Sequence, residues 1–336
     1  MYKRQDIYFI VQEKEVELAR RLRHLGLASG VIGGRSYPKP TSQPATMSYW
    51  TAIRVWGILR PLPDETYPSR AQAHNFLRQH LPLTTLRDDD KQPIEIARPL
   101  FITLPDPPNE WRNIKANLDF KLSHDELQFA KQLLIAVNRP DSNERNLPSL
   151  LSLLVDSQLA VSDLEFPWSP KIFDILNADE KLVLIRAKRI AALVAIGRAV
   201  YAALVEKLRD SDDGLPTNTV YQENLKRVVK DYSTDALQLD VNQIGQDAPH
   251  LLGSRVIDIL WSTQRWLHAD QDVDELLDLY QEVELSRKGR RARLANTLIG
   301  QQRRSEWVSE DQPRAYPLSY RWGNVKRMLS DLRDGE

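Results

Sequence analysis

The densest chemistry in the sequence is cationic. Arg287, Lys288, Arg290, Arg291 and Arg293 put five basic residues into seven positions. Arginine's planar fork suits phosphate oxygens, and clustered cations of this kind neutralise nucleic-acid backbones. Arg303 and Arg304 follow, with no acid before Glu306. Immediately upstream lies the opposite charge: Asp270, Asp272, Asp274, Glu275, Asp278, Glu282 and Glu284, with no Lys or Arg among them. On one helix over 271–296 that order satisfies the macrodipole at both ends. Glu284 and Lys288 also make an i,i+4 pair in the favoured orientation. The cluster therefore reads either as a phosphate-contacting patch or as a charge network internal to its helix. The bulk charge does not decide between them, because Lys+Arg and Asp+Glu are both 46.

Other chemistries find less to build on. Cysteine is absent, which excludes disulfides, thiol nucleophiles, iron–sulfur clusters and cysteine-based zinc sites. His24, His74, His80, His124, His250 and His268 form no H-E-x-x-H or other close helical pair. No G-x-x-x-x-G-K-S/T, G-x-G-x-x-G or G-x-S-x-G occurs. The Gly30–Gly34 stretch lacks the following lysine of a phosphate loop and reads as a plain turn. Asp88, Asp89 and Asp90 diverge as adjacent side chains and read as a solvated loop. No metal and no cofactor is expected, and an enzyme would need a dispersed acidic site that no motif reveals.

These residues must be positioned by elements that the pattern predicts to be mostly helical. Apolar positions in 12–25 recur at helical spacing, glycines and prolines interrupt 30–44, and SYWTAIRVWGIL resumes a helix capped by Thr46 or Ser48. Helix, glycine-containing turn and helix, followed by a strand over 99–104, sketch a winged helix-turn-helix, with Ser48, Tyr49, Thr51 and Arg54 facing DNA. Against it, the connection 26–45 is long. A weak helix is expected near 69–80. Beyond about 110 the signals sharpen: capping boxes at Ser123–Glu126 and Asn177–Glu180, and Pro148 as a first-turn proline. The run from Ala178 to Arg209 is apolar nearly all round and reads as the central helix of a bundle. Further helices are expected near 217–231, 248–268, 271–296 and 320–333. The fold class is thus mainly α, a helical bundle with a smaller mixed α/β, winged-helix-like N-terminal part. The domains are 1–110, carrying the helix-turn-helix-like segment, and a helical 111–336. Ile190–Val205, the longest apolar stretch, is too short and carries Arg198, so no membrane span and a cytoplasmic setting are expected.

Several segments resemble one family. PATMSYWTAIRVWGI (44–58), LPDPP (104–108), LDFKLSHDEL (118–127), FPW (166–168) and LSYRW (318–322) are similar to the bacterial domain of unknown function 6361. So is an E-x-x-x-K-G-x-x-A-R-L pattern at Glu284, Lys288, Gly289, Ala292, Arg293 and Leu294. The segments run in family order over nearly the whole chain. The resemblance implies an anti-phage defence or mobile-element setting beside helicases and phospholipase-D-like nucleases. It also implies a further N-terminal region that this chain lacks, and Met1–Gln5 resemble a translated adapter tail, so a truncated gene is expected.

The functional expectation is a non-enzymatic component that binds DNA or docks onto a helicase or nuclease. Arg287, Lys288, Arg290, Arg291 and Arg293 would neutralise phosphates, and Tyr49 and Arg54 would approach bases. The rival is a protein–protein scaffold in which those arginines meet the 270–284 acids of a neighbour, and an enzyme ranks third.

Overall fold

The computed structural model describes residues 4–26, 30–62, 64–80, 90, 99–139, 147–157, 159–214, 216, 220–244, 253–269, 272–307, 315–319 and 321–334. Among these it is mainly α, with thirteen α-helices and no strand. The chain divides into two compact units, Met1–Gln158 with Arg327–Glu336, and Leu159–Lys326. The compositional change near 110 lies inside the first of them. No described helix is long and apolar enough to cross a membrane.

In the first unit, α1 (Arg4–Leu22) and α2 (Ala45–Val55) flank the glycine-rich turn. The amides of Gly34 and Tyr37 donate to the carbonyls of Val31 and Gly33 at 3.1 and 3.0 Å, so they are committed to the turn. Neither Thr46 nor Ser48 caps α2. Its N-cap is Pro44, and the free Thr46 amide is taken by Glu15 of α1, whose Oε1 accepts at 3.1 Å. The expected 99–104 strand reduces to one bridge, Leu59 to Phe101, with Arg60 N–H on the Leu100 carbonyl at 2.8 Å. The winged-helix-like α/β part is therefore not supported. Leu59, Ala73 and Leu100 form a small core here with Trp50, Ile53 and Phe76, which places α3 (Arg70–His80) against α2.

A buried arginine fixes the segment after α4 (Asn109–Arg112). Arg21 is buried and donates to the carbonyls of Glu110, Trp111 (3.2 Å) and Ala116 (2.9 Å), with its guanidinium 5.6 Å from the Trp111 ring centroid. One cation thus satisfies two carbonyls of the one-turn α4, too short to bond them itself, and one just beyond it. The capping box Ser123–Glu126 opens α5 (His124–Ile135), as its spacing dictates. Pro148 is not in the first turn of α6 (Leu150–Asp156). Ser149 is the N-cap, and Pro148 pairs with Asn138 in a bridge. Leu127 and Leu134 close a second core with Leu332.

The second unit includes α7 (Pro170–Asp174) and is built on α8, Ala178–Asp212, opened by the Asn177–Glu180 box. Its 35 residues span about 50 Å. From Ala191 to Val205 it is buried along most of its length: Leu193, Ile196, Val200 and Leu204 fill the core, and Ala192, Ala195, Ala199 and Ala203 let neighbours approach. Its main neighbour is α9 (Val220–Leu237), with α10 (Ser254–Trp266) closing the bundle. The Gln264 amide donates to the carbonyls of Ala236 and Leu239, both at 2.8 Å, tying α10 to the end of α9.

Glu206 of α8 caps α9 from a distance. Its Oε2 accepts from the amides of Tyr221 (2.9 Å) and Gln222 (3.3 Å), while the buried Oε1 makes no hydrogen bond among the described residues. Burial pushes its pKa up more than the two amides pull it down. The folded state therefore holds this proton more tightly than the unfolded chain, and its contribution to stability falls as pH rises from the ordinary glutamate range through the raised value. Glu206→Gln is expected to gain stability relative to the parent as pH rises through that window, read as urea midpoints in a pH series. A variant whose relative stability instead falls with pH would contradict the assignment.

Candidate nucleic-acid interface

The expected helix over 271–296 is interrupted. A short 3-10 turn, Val273–Leu276, leads into α11 (Leu277–Lys288), which ends where Gly289 takes φ +52°. A side chain there would be strained in the left-handed region, so Gly289 is where the chain can leave the helix. Arg287 and Lys288 thus complete the last turn of α11, where the macrodipole favours them. Arg290 and Arg291 lie beyond it, in a second 3-10 turn.

Beneath the cluster sits a buried carboxylate. Glu284 Oε1 accepts from the Tyr201 hydroxyl at 2.6 Å and from Lys288 Nζ at 2.9 Å, and its Oε2 accepts from the Leu294 amide at 2.8 Å. Burial pushes the Glu284 pKa up, but these bonds together outweigh it and hold the group below its ordinary value. Tyr201 moves the other way, raised by burial and then by the adjoining carboxylate.

A second buried charge locks the segment that follows. Arg304, on α12 (Leu298–Ser305), is 2% exposed and reaches Asp212 at 2.6 Å, the Ala295 carbonyl at 3.0 Å and the Arg293 carbonyl. Gly300 makes this approach possible, because a Cβ there would collide with the Ala295 carbonyl oxygen. Arg304 is therefore a strut and not a contact residue.

The five clustered cations separate accordingly. Arg287, Arg290 and Arg291 are exposed, and among the described residues none has an ion pair. Lys288 is exposed but tied to Glu284. Arg293 is partly buried, with its carbonyl held by Arg304. Two of the upstream acids are engaged elsewhere, Asp274 with Lys207 at 2.5 Å and Glu282 near Arg255 at 3.9 Å, while Glu275 and Asp278 are exposed and make no ion pair among the described residues. Asp270 lies outside the described residues.

Tyr49 and Arg54 part company. Five residues apart on α2, they project from different faces. Tyr49 is exposed and lines a groove of about 970 Å³ in the first unit together with Arg70, His74 and Arg78. Arg54 does not line that groove, and its guanidinium lies 4.7 Å from the Tyr67 ring centroid. The basic stripe on α3 is new to the site. Arg70, His74 and Arg78 recur every four residues, so one face carries all three. That spacing was readable, but the helix it sits on had only a weak pattern.

Among the described residues no group of His, Asp and Glu has the geometry to hold a metal ion. Of the acidic run, Asp90 lies in an exposed turn, and Asp88 and Asp89 lie outside the described residues. No family model, curated protein or solved structure matches the chain.

Proposed function

We propose that the chain is a DNA-binding component that contacts the phosphate backbone through Arg287, Arg290 and Arg291. The observation that carries this reading is that three exposed guanidiniums, close in sequence, have no carboxylate among the described residues, while Asp274, Glu282 and Glu284 are each paired with another cation. Desolvating an arginine already paired to a carboxylate gains little, whereas a free one releases counterions from DNA on contact. Lys288 is a weaker contributor because Glu284 holds it, and Arg293 backs the patch without reaching outward. Tyr49, with Arg70, His74 and Arg78, makes a second contact region in the first unit, where an exposed aromatic beside cations suits single-stranded segments.

In this reading the protein is a non-enzymatic partner of a helicase or phospholipase-D-like nuclease, in the cytoplasmic anti-phage or mobile-element setting implied by its resemblance to domain of unknown function 6361. The scaffold alternative needs the arginines to meet a neighbour's 270–284 acids. Pairing of Asp274, Glu282 and Glu284 within the chain weakens it.

The test is a salt series of DNA titrations on the parent and on Arg290→Ala/Arg291→Ala. Removing two phosphate contacts is expected to reduce the steepness of log K against log salt by about 1.8, at about 0.9 per contact on duplex DNA. An unchanged slope would remove these residues from the interface.

A further inference from the structure

The second unit contains a cavity of about 680 Å³, within the range that small-molecule sites occupy. Most of its wall is aliphatic, including Leu193, Val256, Ile259 and Leu260. Trp307 adds an aromatic surface, its ring packed on Tyr221 with centroids 4.9 Å apart. Three polar features break this wall, and each has a definite state of satisfaction.

The first is Asn224, on α9. It is 3% exposed and lines the cavity, yet its side-chain amide makes no hydrogen bond among the described residues. The amide opens onto the cavity instead of being sealed in the core, so its donor and acceptor are available to a molecule that enters there. The second is the Thr263–Tyr280 pair, joined at 2.8 Å, with Thr263 also donating to the Ile259 carbonyl at 2.7 Å. These hydroxyls are committed to each other. Burial pushes the Tyr280 phenol up to about 12, so it carries no charge at neutral pH. The third is the charged edge. Arg198, Arg287, Lys288 and Glu284 all line the cavity, and both oxygens of Glu284 are already used by Tyr201, Lys288 and the Leu294 amide. Arg198 gives one donor to the Tyr316 carbonyl at 3.3 Å and makes no other hydrogen bond among the described residues. The edge therefore offers two guanidiniums to an anion and no free carboxylate.

We propose that this cavity binds an adenine mononucleotide, with the Asn224 amide pairing with the base edge, the apolar wall and Trp307 holding the ring, and Arg198 and Arg287 taking the phosphate. An asparagine amide presents a donor and an acceptor side by side, which matches adenine N7 and N6. Guanidinium forks match a phosphate monoester. The two readings share only Arg287: Asn224 and Arg198 take no part in the DNA surface, and Arg290 and Arg291 do not line the cavity.

The test is calorimetric titration of the full chain with AMP, adenosine, GMP and inorganic phosphate. AMP is expected to bind, with adenosine and GMP each at least about tenfold weaker, one for want of the phosphate and the other for the mismatched base edge. Arg287→Ala is expected to weaken AMP about tenfold and leave adenosine unchanged. Asn224→Leu is expected to erase the preference for AMP over GMP. Should that buried variant fail to fold, the Arg287 comparison still decides, because Arg287 is exposed. Arg290→Ala/Arg291→Ala should bind AMP as the parent does, which separates failure of this site from failure of the DNA surface. No heat with AMP at about 1 mM, equal affinity for GMP, or an Arg287→Ala variant that binds AMP normally would each overturn the proposal.

Discussion

Replacing Arg304 by alanine is expected to destabilise the protein by about 3–5 kcal/mol, the range for deleting one partner of a buried charge pair. The guanidinium is almost wholly enclosed and serves three acceptors: Asp212 at the end of α8, and the carbonyls of Arg293 and Ala295. Alanine would leave two carbonyls and a carboxylate short of a partner and open a side-chain-sized void beside Gly300. Asp212 keeps some access to water, its side chain being 21% exposed, which places the effect toward the lower end. Lysine would restore the charge but not the fork, so Arg304→Lys should recover only part of the loss. Urea unfolding of the three proteins decides it. A cost below about 1 kcal/mol for alanine would mean that the strut is worth no more than a surface pair.

The second large effect is expected at Glu284. Glu284→Ala strands the Leu294 amide and the Tyr201 hydroxyl and leaves Lys288 without its carboxylate, for an expected loss of about 2–4 kcal/mol. The pH dependence has a definite sign. Because the folded pKa is below the unfolded one, the carboxylate's contribution is complete above the ordinary glutamate range and is lost as pH falls through the folded value. The gap between parent and Glu284→Ala should therefore close in acid. Glu206 behaves oppositely, since burial there wins over its hydrogen bonds. Two buried glutamates in one unit thus report opposite pH trends, and a parallel trend in their variants would contradict the assigned balance of burial and bonding.

What could be read from the sequence was local in origin. The Ser123 and Asn177 capping boxes close within four residues, so spacing alone identifies them. The central α8 announced itself by length and apolar content. Interactions across long separations left no such trace. The α2 cap comes from Glu15, thirty-one residues before Thr46. Nothing in the pattern of 12–25 singles out Arg21, whose role depends on the carbonyls of Glu110, Trp111 and Ala116, about ninety residues away. The local pattern of 99–104 reads as a strand, but among the described residues the segment pairs only at Leu59. In the basic cluster the residue types were plain, whereas the division into free, tied and buried cations depends on Glu284, Gly289 and Arg304. Asn224, finally, is one amide in an amphipathic helix, and only the cavity around it sets it apart.

The reading of Arg287, Arg290 and Arg291 as a phosphate-contacting surface is tested most directly by titrating the unmodified chain with a labelled DNA duplex from about 50 to 200 mM salt. Binding at the lowest salt that weakens linearly in log K against log salt is the predicted result. No binding at the lowest salt, or binding indifferent to salt, would contradict it.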